Sequence, residues 1–524
     1  MSDITVTNGQ LQFGADAQVC QKLEGLPGLK VYGAQGFARG HVDALAAGVV
    51  RLGYKPPRPP DGAPIRHMPG ARDYQKLGVS FLVQALKSYG GAVLADDMGL
   101  GKTYQAIQTI RELKVQKVLV VAPRAACETW RDELAKWGLK SCAVLSVANT
   151  KVAKQEWEEA DSKRLVVSSY HHDVLDRAIS KCFRTDLPEL VIMDEAHRVR
   201  GRKSRRSKKL EEVCGLASYR LALTATPQFD HPRDLWELLH ILFGYRFGNR
   251  HEFDFAYCAA TSNEHGGLEN KGASNTDELK LRLSYYMLRR EKREVAKELP
   301  PLQRQVRWVD GTPEARKYLQ MSQLNIGKGS LHEAIVSTLK GKMEEALELA
   351  VEAKRFLLFT WLKSHAHELA RTLTLERETP CVCITGELSA EKRQVEIRLA
   401  QAKGWGVVAT LDSASESLNL QGVASVGIMH AIDWSPLKMA QAEGRLHRLG
   451  QMDPVMWYYV AMKESIDTVI IPTIVNKLDQ WRAVMGAKSN RDMRHSLADG
   501  VSGPKVVSAE KEALKQLYEA MNHE

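Results

Sequence analysis

Short apolar runs recur along most of the chain, and stretches with helical spacing of apolar positions separate them. Between about residues 66 and 300 the runs are Ala92–Ala95, Val118–Val121, Leu165–Ser168, Leu190–Met193 and Leu221–Leu223. Such alternation predicts a parallel sheet whose crossover helices cover both faces. A second series follows Leu299-Pro-Pro, with Phe356–Phe359, Val382–Thr385, Val407–Thr410, Ser425–Met429 and Trp457–Val460. Two α/β lobes in tandem are therefore expected. Residues 1–54 read as a small α/β unit: alternating Ile4-Thr-Val, a helix over Ala17–Leu23, Val31-Tyr32, and an Ala-rich helix from His41 to Leu52. Five prolines crowd the eleven residues from Tyr54 to Pro64, which can join neither a helix nor a central strand and predict a stiff linker. The polar stretch 263–276 is expected to be a surface loop. At the end of the chain, Ala513, Leu514, Leu517, Tyr518 and Met521 fall on one face of a predicted amphipathic helix. The expected division is 1–54, linker 55–65, first lobe 66–303, second lobe 304–486 and helical tail 487–524.

Composition narrows the class without naming it. At 524 residues the length suits about three to four domains. With 44% hydrophobic and 26% charged residues, a wholly disordered chain is excluded. The longest apolar run, near Phe356–Leu362, is far short of the ~20 residues of a membrane span. The opening Met1-Ser-Asp-Ile shows neither part of a secretion signal, so a cytoplasmic protein is expected. Eight scattered cysteines without a C-x-x-C pair argue against a disulfide framework or a zinc knuckle. The net charge of +10 only hints at a polyanionic partner.

The chemistry is concentrated in two motifs. Val93-Leu-Ala-Asp-Asp-Met98-Gly99-Leu100-Gly101-Lys102-Thr103-Tyr lies between a strand pattern and the predicted helix Tyr104–Leu113. In a strand–loop–helix, backbone N–H groups and the helix N-terminus converge on phosphate oxygens. Gly99 and Gly101 let the backbone approach, Lys102 can reach the β- and γ-phosphates, and the Thr103 hydroxyl can ligate Mg²⁺. Asp96 stands where the first glycine of the P-loop pattern belongs. The second motif, Val191-Ile-Met-Asp194-Glu195-Ala196-His197, is an apolar strand ending in adjacent carboxylates. Asp194 would hold Mg²⁺ through water, and Glu195 would polarise the attacking water. Together they predict an ATPase using ATP and Mg²⁺.

From Arg72 to Lys477 the chain resembles helicase superfamily 2, and within it the Swi/Snf-type DNA translocases. Arg72-Asp-Tyr-Gln75 is similar to the adenine-reading segment, with Gln75 as the base contact. Ala122-Pro-Arg124 with Trp130-Arg-Asp-Glu133, and Ser168-Ser169-Tyr170, resemble strand-contacting motifs. Leu223-Thr224-Ala-Thr226-Pro227 resembles the segment that couples hydrolysis to lobe movement, a role the resemblance also gives to His197 and Gln441. In the second lobe, Ile384-Thr385-Gly386 and Arg393 resemble a DNA-contacting motif, and Asn419 belongs to another. Gln441-Ala-Glu-Gly-Arg445-Leu-His-Arg448-Leu-Gly-Gln451 closely matches the arginine-finger motif. Three residues apart on a helix, Arg445 and Arg448 are expected on one face, reaching toward the γ-phosphate. The resemblance thus implies two tandem RecA-like P-loop lobes with helical insertions and a small N-terminal α/β accessory domain.

A narrower similarity is to the HepA-related, annealing-helicase branch, which remodels branched DNA. It rests on Phe253–Cys258, Gly266-Gly, Ser274-Asn275, Glu278-Leu279 and the run from Met287-Leu-Arg-Arg to Pro301. Leu26–Tyr32 and Gly53-Tyr54 resemble that branch's accessory DNA-recognition domain, the alternative being a packing cap on the first lobe. Departures from the family pattern are Ala225, Gln228-Phe-Asp-His231, and Ser413–Asn419, where Ala414, Ser415 and Ser417 replace expected glycines and Glu416 adds negative charge. Eight of the twelve residues from Arg198 to Lys209 are basic, and Arg202 and Lys203 are expected near DNA. The expected partner is duplex or branched DNA read with little sequence specificity. No membrane partner is expected, and the expected state is a monomer. The motor of a restriction or defence complex, an RNA helicase and a nucleotide-insensitive scaffold are the competing readings. Compactness suggests a bacterial or viral setting.

Overall fold

The computed structural model describes residues 5–7, 10–12, 17–32, 35, 37–52, 65, 68–145, 164–184, 186–199, 204–225, 232–262, 268–270, 272–296, 298–323, 327–414, 420, 422–448 and 450–475. Most of the proline-rich linker and the expected tail helix lie outside these residues, as do Arg202, Lys203, Thr226 and Asn419. Up to residue 479 the chain forms two compact units, 1–291 and 292–479.

A seven-stranded sheet organises the first unit. In spatial order its strands are Met287–Leu288, Gly91–Leu94, Tyr219–Leu223, Leu190–Asp194, Val118–Ala122, Leu165–Ser169 and Cys142–Leu145, and every pairing is parallel. Gly91–Leu94, Val118–Ala122 and Leu165–Ser169 are buried along their whole length, because helices cover both faces and leave no polar side to alternate toward. The five predicted strands occupy the middle of this order, and the two that pattern did not reveal are its edges. Met287–Leu288 is too short to show a period and exists through its pairing with Val93 and Leu94.

The N-terminal segment folds as an antiparallel four-stranded sheet, in the order Thr5–Thr7, Gln10–Gln12, Phe37–Gly40, Leu29–Tyr32. Helices Ala17–Leu23 and Val42–Arg51 accompany it, both where the pattern predicted them. This module belongs to the first unit rather than standing apart. Asp43 and Arg282 form a wholly buried ion pair at 2.7 Å, and Arg51 binds Glu278 through two contacts of 2.5 and 3.1 Å. Gly28 lies so close to the lobe that an added Cβ would sit 2.0 Å from the Arg246 carbonyl oxygen. The stretch expected as a loop, 263–276, contains strand Leu268–Asn270, which pairs with Ala260–Ser262.

The second unit holds a six-stranded parallel sheet. Its order is Leu302–Val309, Val455–Met462, Val426–Met429, Phe356–Thr360, Gly406–Thr410, Cys381–Ile384. Leu302–Val309 was not predicted as a strand. Among the described residues it has a neighbour on one side only, and Gln303, Arg304, Gln305 and Arg307 interrupt any apolar run. Because this strand pairs along its full length with Val455–Met462, the division between units falls at 291/292, not at the expected 303/304.

Candidate active site

In an open parallel sheet, ligands bind beyond the carboxyl ends of the strands. Three adjacent strands of the first unit end in the predicted chemistry. Gly91–Leu94 leads into the phosphate loop, Tyr219–Leu223 into Thr224, and Leu190–Asp194 into the paired acids. Sheet register therefore brings together the phosphate loop, the paired acids and Thr224, which are far apart along the chain.

Gly99 and Gly101 take φ values of 82° and 75°, which only glycine adopts freely. Gly101 caps helix Lys102–Leu113, and a Cβ there would meet Gln75 Nε2 at 2.5 Å. Leu100 is buried, and Met98 and Thr103 are half-buried around the loop. Lys102 Nζ donates to the Asp96 and Asp97 carbonyls at 2.8 and 3.2 Å. Burial lowers the Lys102 pKa, against the opposing pull of Glu195, Asp96, Asp97 and Asp194. Gln75, the expected adenine contact, donates to the Leu100 carbonyl at 3.2 Å and accepts from the Arg72 N–H at 3.0 Å. That places it directly against the phosphate loop.

The Asp194 carboxylate accepts from Trp130 Nε1 at 2.8 Å and from the Glu195 N–H at 3.0 Å. Burial, then the adjacent Glu195 charge, push its pKa up to about 6. Glu195 takes φ 50°, a left-handed conformation uncommon for a residue with a side chain, and such outliers concentrate at functional sites. His197 joins the acids to the next strand. Its Nδ1 lies 3.2 Å from Glu195 Oε2 and 3.3 Å from Thr224 Oγ1. The Glu195–His197–Thr224 chain links the residue expected to polarise the attacking water to the segment expected to couple hydrolysis to motion.

Several predicted DNA contacts have different surroundings. Tyr170 is buried and donates to the Asp194 backbone carbonyl at 2.7 Å, so its hydroxyl holds the acidic strand end. Ser169 is buried beside it, whereas Arg124 is exposed. In the second unit, Thr385, Arg393 and Gln441 are buried. A cavity of about 460 Å³ opens at the carboxyl ends of that sheet, lined by Trp361, Lys363, Gly386, Thr410, Asp412 and Ser413 among others.

The arginine pair requires a correction. Helix Pro436–Leu446 ends before Arg448, and His447 turns out of it at φ −84°, ψ 82°. Arg445 therefore lies on the helix and Arg448 in the following turn, so the two do not share a helical face. Contacts within the second unit explain the break: His447 Nε2 pairs with the Pro300 carbonyl at 2.9 Å, and Lys292 Nζ donates to the His447 carbonyl. Glu443, one turn before the break, is held by Arg304 at 2.6 and 2.8 Å and by the Tyr459 hydroxyl. Sequence reasoning gave Glu443 no role. Nor did it give one to Arg289 and Arg290, which contact the phosphate loop, although both stand in the Met287-Leu-Arg-Arg run.

Two parallel-sheet units, the first with a phosphate loop and paired acids on strands that flank Tyr219–Leu223, define a nucleotide-hydrolysing motor of the helicase superfamily 2 type. The family profile described as "SNF2-related domain" matches residues 74–358, more than half of the chain, and "Helicase conserved C-terminal domain" matches 341–450. The chain belongs to the SNF2-related family. It is 29% identical over 428 residues to the Xenopus laevis protein "SWI/SNF-related matrix-associated actin-dependent regulator of chromatin subfamily A-like protein 1", covering 77% of this chain and 43% of that protein. It is 28% identical over 423 residues to human "DNA annealing helicase and endonuclease ZRANB3", covering 76% of this chain and 39% of that one. The chain thus spans less than half the length of these two relatives. A solved structure of the "Sulfolobus solfataricus SWI2/SNF2 ATPase core in complex with dsDNA" aligns at 21% identity and a TM-score of 0.40, over 83% of this chain and 98% of that one.

Proposed function

We propose that the chain is an ATP-driven translocase on duplex DNA that remodels branched DNA or forks, or displaces bound proteins. The observation carrying this reading is the convergence of Lys102, Asp194, Glu195, His197 and Thr224 at the ends of three adjacent strands, in a chain of this family. The relatives named as annealing helicases support the DNA substrate and the remodelling outcome.

Lys102 would bind the β- and γ-phosphates, and the N–H groups at the start of helix Lys102–Leu113 would meet the same oxygens. Thr103 and Asp194 would hold Mg²⁺, Asp194 largely through water. Their fit to a cation rests on Asp194, whose buried carboxylate is raised beside a second acid, the situation a positive ion relieves. When bound, Mg²⁺ supplies neutralisation of phosphate charge. Glu195 orients and polarises the attacking water, and His197 passes any displacement of Glu195 on to Thr224. Arg445 and Arg448 are the proposed charge donors in hydrolysis, on the strength of their motif.

The outer face of the N-terminal sheet favours a recognition role for that module. Tyr32 and Phe37 stack at 4.8 Å, Arg39 lies 5.4 Å from the Phe37 ring centre, and Lys30 sits opposite Arg39. Phe37 is half-buried and Lys30, Tyr32 and Arg39 are exposed, and such aromatic and basic side chains on a sheet suit bases and phosphates of unpaired strands. The buried Asp43–Arg282 pair favours the packing role as well, and the two roles are compatible.

The test is an ATPase assay with single-stranded, duplex, forked and four-way-junction DNA, and with RNA. Stimulation by duplex or branched DNA is expected, with turnover abolished by Lys102→Ala. Stimulation by RNA alone would sink the proposal in favour of an RNA helicase. Tyr32→Ala/Phe37→Ala should weaken fork preference while leaving duplex-stimulated turnover in place. Unchanged preference rejects the recognition role.

A further inference from the structure

Asp96 occupies the place where a P-loop normally has glycine, and its side chain is wholly buried. An unpaired carboxylate there would repel the triphosphate the loop is built to hold. Its partner comes from almost two hundred residues away. Arg290 donates from Nε to Asp96 Oδ1 at 2.9 Å and from Nη2 to Oδ2 at 2.5 Å, a bidentate pair. The same guanidinium donates to Gln105 Oε1 at 2.8 Å and to the Tyr74 carbonyl, and stands 5.1 Å from the Tyr74 ring centre. Gln105 returns a bond to Asp96 Oδ2 at 3.0 Å. Glycine at position 78 leaves the room: a Cβ there would meet Gln105 Oε1 at 2.0 Å and Arg290 Nη2 at 2.7 Å.

Main-chain pairing delivers Arg290 to this position. Val93, Ala95 and Asp97 donate in turn to the carbonyls of Tyr286, Leu288 and Arg290 at 2.8, 2.7 and 3.0 Å. The edge strand thus runs alongside the phosphate loop's entry and sets Arg290 behind it. Arg289, its neighbour, donates to the Ala95 and Ala225 carbonyls at 3.3 and 3.2 Å.

We propose that Arg290 is a positioning residue for nucleotide binding. It neutralises Asp96 and holds it from behind, fixing the backbone of the phosphate loop against the adenine-reading segment at Tyr74 and Gln75. This rests on the reading of the chain as an ATPase. Arg290 touches no substrate in this scheme; it acts through Asp96.

The test measures KM for ATP, kcat, ADP affinity and thermal midpoint for the parent chain, Arg290→Lys, Arg290→Gln and Arg290→Gln/Asp96→Asn. Lysine keeps the charge but loses the fork, so KM should rise about tenfold, the scale of one charge-assisted hydrogen bond, with kcat largely retained. Arg290→Gln leaves the buried carboxylate without its counter-charge and should lose far more. The double variant, with no charge to neutralise, should recover most of that affinity. A purely structural role would lower the thermal midpoint without moving KM. Parental KM in folded Arg290→Lys and the folded double variant overturns the proposal while leaving the ATPase reading intact. A parent chain that binds and hydrolyses no ATP overturns both.

Discussion

Changing Asp43 to alanine removes the anionic half of a buried pair that joins the N-terminal module to the first lobe. Both side chains have zero exposure, so the Arg282 guanidinium cannot recover its lost partner from water. Breaking one side of a buried pair costs about 3–5 kcal/mol, because the remaining charge stays buried without compensation. Arg282 would keep its bonds to the Pro27 carbonyl at 2.7 Å, the Tyr257 hydroxyl at 3.0 Å and the Arg246 carbonyl at 3.1 Å, which argues for the lower end. The Tyr286 hydroxyl also loses its acceptor, which adds roughly 1 kcal/mol. We expect a loss of about 3–4 kcal/mol, a large part of the ~5–15 kcal/mol available to a folded domain. Urea unfolding followed by tryptophan fluorescence reads this directly, and limited proteolysis should show the module cut free first. Asp43→Leu/Arg282→Met, which removes both charges, should restore most of the stability. A loss below ~1 kcal/mol for Asp43→Ala, the range of an exposed pair, would refute the argument that the module is locked to the lobe. For the same reason, deleting residues 1–60 would injure the lobe itself and is a poor test of DNA recognition.

Three further outcomes are expected. Gly101→Ala forces a side chain into a φ of 75° and into Gln75, so ATP affinity should fall at least about tenfold, seen as a raised KM. Thr224→Ala removes the group 3.3 Å from His197, and should cut DNA-stimulated turnover more than basal turnover; equal loss of both would argue against a coupling role. Burial holds the His430 pKa down at about 3, with Lys342 adding to the effect. The unfolded chain therefore takes up the proton first, and stability present above the unfolded pKa of about 6.5 is lost as pH falls, by about 2 kcal/mol at pH 5. Urea midpoints at pH 7.5 and 5 should show that loss in the parent and a smaller one in His430→Gln.

Which parts of the molecule were legible follows from how far each signal reaches along the chain. Gly99-Leu-Gly101-Lys102-Thr103 and Asp194-Glu195-Ala-His197 are contiguous, because a phosphate loop and a strand end each build their chemistry from consecutive backbone units. Central strands such as Val118–Ala122 were equally plain, since burial on both faces demands an unbroken apolar run. Edge strands escaped notice because half their surface is free to be polar. Arg448 was assigned to a helical face by spacing alone, yet the contacts of His447 end the helix before it.

The nucleotide chemistry, the two α/β lobes and the family all depend on local patterns, and so they could be read from consecutive residues. What those motifs lean on is set by contacts between residues remote along the chain. Asp96 looks like a defect in a P-loop until a strand two hundred residues later lays Arg290 behind it. The N-terminal module looks separable until Asp43 is found buried against Arg282. Both are buried charges, and a charge can stay buried only with a partner close by in space. Sequence distance carries no trace of that closeness, and so these pairings became visible only in the folded chain.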